Sequence, residues 1–191
     1  MTIEASHPFF LIRNLASTLS DDAEFEFSIY EYEPQSILDI RETERIKAWD
    51  LSEELIENII NTLPNNKELA IHSAVRINKK LFHIPMIDFV TPEQEISGKI
   101  DTIRQLLPRE IFNEISFYNS GRSCHAYSLK LIKHSDWVSF MGRLLLISKP
   151  NENQIIDTRW IGHRLLAGYS SLRWSNNSKQ YLAAPKKCSL I

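Results

Sequence analysis

Hydrophobic positions along the chain switch period several times. From His7 to Leu19 the apolar residues Phe9, Phe10, Leu11, Leu15 and Leu19 suit a first helix, with Pro8 near its start. Glu24 to Glu33 then alternates acid with aromatic or aliphatic, the pattern of a half-buried strand. Ser36 to Lys47 reads as a short helix. Leu51, Leu55, Ile56, Ile59, Ile60 and Leu63 share one helical face, with Ser52, Glu53 and Glu54 suited to its N-terminal end and Pro64 closing it.

The middle of the chain is more sheet-like. Leu69 to Ile77 and Leu81 to Val90, joined by Asn78-Lys79-Lys80, predict a β-hairpin. Ile96, Ile100, Ile103, Leu106 and Leu107 mark a helix ended by Pro108. Ile111 to Tyr118 and Cys124 to Leu131 read as strands around the turn Asn119 to Arg122. Trp137 to Ile147 is helical by spacing. Ile155-Ile156 suits a short strand ending at Asp157, and Arg159 to Leu166 a helix closed by Gly168. Ser170 to Trp174 and Gln180 to Ala183 read as terminal strands. The predicted class is α+β, a largely antiparallel sheet with helices against it, in one domain covering residues 1–191.

Composition narrows the class without naming a function. The 191 residues are 43% apolar and 24% charged, enough to form a core and too apolar for wholesale disorder. No apolar run approaches the roughly 20 residues that span a membrane, and no secretory leader is read at the N-terminus. The two cysteines, Cys124 and Cys188, make no disulfide framework, so the expected setting is reducing and cytoplasmic. Charge is segregated. Residues 1–66 carry fourteen acids and four bases, residues 67–191 eighteen bases and ten acids. Two readings stand together: the halves neutralise each other, or the basic part meets a polyanion. The acidic part could also present a face to a protein partner.

Four segments carry candidate chemistry. Asp88 ends the apolar run Ile84 to Ile87, and an acid in such a strand needs a partner, either a hard cation such as Mg²⁺ or Mn²⁺ or an arginine. In Ser120-Gly121-Arg122-Ser123-Cys124-His125-Ala126-Tyr127, Gly and Ser suit a tight turn, Arg122 can grip a phosphate, and His125 can bind phosphate, move a proton or serve structurally. Strand alternation puts His125 and Tyr127 on one face and Cys124 and Ala126 on the other. Asp157 is a helix cap or a second metal carboxylate. In Leu172 to Lys179, Arg173 and Lys179 surround Ser175 and Asn177, which suits a triphosphate or a solvated turn. Trp160 and Trp174 suit core packing or base stacking. The chain lacks a Walker loop, a dinucleotide-binding glycine fingerprint, a zinc-protease helix and a nucleophile elbow.

In this order and spacing, over residues 68–187, the segments resemble the catalytic core of the archaeo-eukaryotic primase superfamily, which includes the primase-polymerases. Within it the chain looks like small one-domain bacterial proteins, some linked to mobile elements or antiviral defence. The resemblance implies an RRM-like sheet fused to an N-terminal α/β unit with a cleft between them. It implies divalent metal, Mg²⁺ or Mn²⁺, at Asp88 and Asp157, and triphosphate binding by His125 with Ser123 and Arg122. It implies nucleotide or template contact through Arg173, Ser175, Asn177 and Lys179. The partners implied are a nucleoside triphosphate and a single-stranded DNA or RNA template, and the activity is nucleotidyl transfer in a replication setting. One departure stands out: the family pairs two acids as Asp-x-Asp on the first motif strand, whereas positions 86 and 90 here are Met and Val. The alternative function is therefore an inactive nucleotide- or nucleic-acid-binding subunit or sensor, and a third is a metal-dependent nuclease.

Overall fold

The computed structural model describes residues 2–178 and 180–190. Helix α1 (Pro8–Ser17) starts where the His7 side chain accepts from the Phe9 amide and Pro8 occupies the first turn. Strand β1 (Glu24–Glu31) turns Phe25 and Phe27 inward, as its alternation requires. Strand β2 (Arg41–Lys47) corrects the expected helix at Ser36 to Lys47. The segment pairs with β1 from Glu24↔Lys47 to Tyr30↔Arg41. Its acid–base alternation buries only Ile46, so no helical stripe existed to be read. Helix α2 (Glu53–Thr62) is capped by Ser52 Oγ, which accepts from the Leu55 amide at 3.1 Å.

Strand β3 (Lys67–Ile77) is the longest and nearly all buried, as expected for a central strand. It turns into β4 (Lys80–His83) through Asn78 and Lys79, both at positive φ. The expected second arm to Val90 does not run on. Pro85 supplies no amide for the ladder, and beyond it β5 (Met86–Asp88) joins another sheet. Helices α3 (Glu93–Ser97) and α4 (Ile100–Leu106) replace one predicted helix, with Gly98 between them. Helix α5 (Arg109–Asn113) takes the first residues of a predicted strand, since Pro108 opens a helical turn there. The rest follows as β6 (Ile115–Asn119), β7 (Cys124–Ser128), β8 (Ile132–Lys133), α6 (His134–Leu145), α7 (Thr158–Ala167), β9 (Ser171–Arg173) and β10 (Lys186–Cys188). Gly168, in the left-handed region, closes α7 as predicted. The expected terminal hairpin is absent. Residues 180–183 form no strand, and β9 instead pairs with β3.

Two antiparallel sheets result. One runs β2-β1-β3-β4-β8, with β9 also on β3, and the other runs β10-β6-β7-β5. This is a mixed α+β fold. Helices α1 and α2 cover the first sheet through Phe9, Ile12, Ile56 and Ile60. The later helices cover one face of the second sheet, where Ile87, Cys124 and Ala126 meet Trp137 and Phe140. The other face of that sheet carries Met86, Tyr118 and Tyr127 into the core of the first sheet. Trp174 fills this junction, fully buried against His7, Phe9 and Phe27. Ion pairs Glu4–Lys186, Asp39–Arg164 and Glu42–Lys67 join the acidic and basic parts, so neutralisation within one fold accounts for some of the charge asymmetry. No helix among the described residues is long and apolar enough to cross a membrane.

Candidate functional site

A cleft of about 560 Å³ opens where the two sheets meet. Asp88, Ser123, His125, Asp157 and Arg173 all line it, with Arg122 at its rim. Four sequence segments thus converge, and pairing explains how. Asp88 is the last residue of β5 and lies opposite His125 on β7. The Asp157 amide donates to the Asp88 carbonyl at 3.0 Å, just beyond the bridge between Phe89 and Ile156. Arg173 ends β9 and reaches the cleft from the first sheet.

The two carboxylates differ in environment. Asp157 caps α7, its Oδ1 accepting from the Trp160 amide at 2.8 Å, so the cap reading holds while the side chain still borders the cleft. Asp88 is pushed up to about 8, first by burial and then by the negative charge of Asp157, with Arg173 pulling the other way. His125 is pushed down to about 3 by burial and by the Arg173 charge. Its Nε2 lies 3.6 Å from Asp88 Oδ1, beyond hydrogen-bond length, and its Nδ1 is buried with no partner among the described residues. Both shifts favour a protonated carboxyl beside a neutral imidazole over an ion pair. An unpartnered buried ring nitrogen is costly, which fits a group awaiting a ligand.

The turn from Ser120 to Ser123 depends on Gly121. At φ +113° a Cβ there would stand 3.2 Å from both the Ala183 nitrogen and the Leu182 Cβ. Ser120 Oγ donates to the Ser123 carbonyl at 3.0 Å, and the Asn119 side chain accepts from the Gly121 amide at 2.9 Å. The Ser120 carbonyl accepts from Arg173 Nη2 at 2.8 Å. Arg173 also donates to the carbonyls of Ser175 and Ala183 and lies 3.9 Å from the Tyr181 ring centre, which leaves its guanidinium fixed and 4% exposed.

Ser175 and Asn177 point their polarity elsewhere. Ser175 Oγ and the amides of Asn177 and Ser178 all donate to the buried carboxylate of Glu68, and Asn177 Nδ2 reaches the Pro64 and Lys67 carbonyls. Neither lines the cleft. The candidate Lys179 lies outside the described residues. Trp174 is a core residue. Trp160 is half-buried at the cleft and donates from Nε1 to the Ser171 carbonyl at 2.9 Å.

Sequence reasoning missed Arg41, Tyr30, Tyr181 and Asp39, all on the cleft wall. Arg41 stacks over the Tyr30 ring at 4.1 Å, and the Tyr30 and Tyr181 hydroxyls are 3.4 Å apart. A row of cation, ring, ring and cation therefore connects Arg41 to Arg173. The alternation of β2 held the only signal for Arg41, and the helix reading obscured it.

A family model described as archaeo-eukaryotic primase 1D-like (AEP-like) matches residues 47–186, well over half of the chain. The chain belongs to this primase-like family. No curated protein and no solved structure matches it. The match takes in β3 through β9, which carry Asp88, His125, Asp157 and Arg173, and leaves out Asp39 and Arg41. The second acid that the resemblance implies on the strand of Asp88 is not present. Met86, two residues before Asp88 on the same strand face, is fully buried in the core, and Val90 is 45% exposed. No group of three or more His, Cys, Asp or Glu side chains poised for a metal ion exists among the described residues.

Proposed function

We propose that this primase-like chain binds a phosphate-rich ligand, a nucleoside triphosphate or the end of a nucleic-acid strand, without efficient nucleotidyl transfer, and acts as a binding subunit or sensor. The observation that carries this reading is the buried Met86 in place of a second strand carboxylate. Two-metal transfer needs a clamp on both the attacking and the leaving oxygen, and the loss of one carboxylate weakens the hold on the ions. Three features support phosphate binding: Arg173 is held rigid, His125 Nδ1 has no partner among the described residues, and Arg122 is exposed at the rim.

One divalent ion is compatible with the residues present. Asp88 and Asp157 are hard oxygen donors suited to Mg²⁺ or Mn²⁺, though Asp157 already spends one oxygen on its helix cap. Such an ion would neutralise phosphate charge and would have to displace the proton from Asp88. This adjacency of two carboxylates favours the second reading, a slow primase-polymerase on a single-stranded template. We further propose a protein partner for the acidic N-terminal part and a role in replication or antiviral defence.

The experiment is calorimetric titration of ATP with and without Mn²⁺, on wild type and on Asp88→Ala, Asp157→Ala and His125→Ala, beside template-directed incorporation assays. Binding lost in His125→Ala with no incorporation supports the proposal. Incorporation abolished by Asp88→Ala supports the second reading, and no binding by folded wild type sinks both.

A further inference from the structure

The loop between β1 and β2 crosses one end of the cleft. Its Asp39 carboxylate is bound by two arginines. Arg41 Nε donates to both of its oxygens at 2.9 Å, and Arg164 Nη2 pairs with Oδ2. Arg164 is buried and Arg41 nearly so, with 2% and 10% of their side chains exposed. Arg41 also donates from Nη1 to Ser28 Oγ and Ser171 Oγ. Arg164 Nε and Nη1 have no hydrogen-bond partner among the described residues, and the Tyr169 side chain lies beside the guanidinium, its ring centre 5.6 Å away. Two largely buried guanidiniums thus share a single carboxylate, with donors left over. That is an under-neutralised arrangement, and burial makes it expensive.

We propose that Arg41 and Arg164 form a second anion site for a phosphate group, and that Asp39 closes it in the free protein by standing in for that phosphate. A phosphate brings more charge and more acceptor oxygens than a carboxylate, and the guanidinium fork matches either. It would occupy the donors that Asp39 leaves idle. The loop that must yield is weakly held. Ile37, Leu38 and Ile40 are 84%, 72% and 78% exposed, so opening exposes little apolar surface that is not already in water. Arg159 holds the Ser36 carbonyl as a second polar tie. The site shares the cleft of Asp88 and His125, and Ser171, which Arg41 touches, lies two residues from Arg173. One phosphorylated chain could span both ends. The proposal rests on the phosphate-binding reading only to the extent that both place phosphates in one cleft.

The test titrates inorganic triphosphate, ATP and a short oligothymidylate into the full chain as wild type, Asp39→Asn and Asp39→Asn/Arg41→Gln, with thermal melts to confirm folding. Removing the competing carboxylate from a site closed at least nine times in ten should tighten binding by about tenfold or more. The second substitution should abolish the gain. A gain with triphosphate and ATP assigns the phosphate to a nucleotide, and a gain with the oligothymidylate alone assigns it to a strand backbone. Hydrogen exchange on wild type supplies a measurement free of any variant: ligand should speed exchange at residues 35–40. Unchanged affinity for all three probes in folded Asp39→Asn, or unchanged loop exchange in wild type at saturating ligand, would overturn the proposal. If His125→Ala leaves ATP binding intact while Asp39→Asn still gains affinity, the nucleotide reading of the His125 end fails and this one stands.

Discussion

The protonated Asp88 carboxyl makes a stability prediction with a definite sign. Its folded value is raised to about 8 by burial and by Asp157, against about 3.9 in an unfolded chain. Between those values the folded state holds a proton that the unfolded state has lost, so stability must fall as pH rises. Four histidines act in the opposite sense, His72 among them, its value lowered chiefly by burial. His125 is pushed down to about 3, and His7 and His83 to about 4, all chiefly by burial, so each adds stability as pH rises toward about 6.5. Comparison with Asp88→Asn cancels the histidines and isolates the carboxyl. One proton contributes about 1.4 kcal/mol per pH unit, so pH 5 to 8 has a ceiling of about 4 kcal/mol. With 23% of the side chain exposed, solvent screens part of the penalty, and about 2 kcal/mol is the expected loss of wild type relative to Asp88→Asn. The assay is urea unfolding of both proteins at half-unit steps from pH 5 to 8 in EDTA, so that no cation replaces the proton. Parallel pH profiles, or a wild type that gains on the variant with rising pH, would refute the assignment of a buried neutral acid.

Further outcomes follow from the same contacts. Glu68→Ala strands Ser175 Oγ and the Asn177 and Ser178 amides; it should cost about 3–5 kcal/mol, seen as a drop in Tm of about 10 °C. A drop of only a degree or two would mean that Glu68 does not anchor this segment. Gly121→Ala forces a left-handed backbone and a close approach to residues 182 and 183; it should destabilise by about 1–3 kcal/mol and weaken ATP binding, because the same turn presents Ser123 and the carbonyl that holds Arg173. His125→Gln should lose ATP affinity with little change in Tm, since among the described residues Nδ1 has no partner and Nε2 stands 3.6 Å from Asp88 Oδ1. A large fall in Tm with unchanged affinity would make His125 a structural residue.

Much of the molecule was legible in local pattern. Where one face is wet and the other dry, period alone identifies the element, as it does for α1, β1 and α2. Ser52 and Gly168 marked their helix ends because caps are local chemistry. The alternation across Cys124 to Tyr127 correctly separated the two strand faces, one turned to each core. Asp88, His125 and Asp157 stood out because a carboxylate or imidazole among apolar neighbours needs a reason.

The remainder depended on contacts between distant segments. β2 is a strand because β1 offers it an edge, not because its own sequence buries a stripe. Met86 to Asp88 leaves its hairpin for the second sheet because Pro85 interrupts the ladder, and the destination is visible only from β7. Ser175 and Asn177 look like ligand groups until Glu68, far off in sequence, is found to use them. Cys124 and Cys188 come close enough to shift each other's thiols, Cys124 up and Cys188 down, although their sequence contexts share nothing. Sequence by itself determined which residues carry unusual chemistry and most of the elements that hold them, since propensity, capping and amphipathic period act over a few residues. Tertiary structure decided which of those residues share a cleft, which are spent on the fold, and that Asp39 answers Arg164, since burial and charge pairing are settled only when remote segments meet.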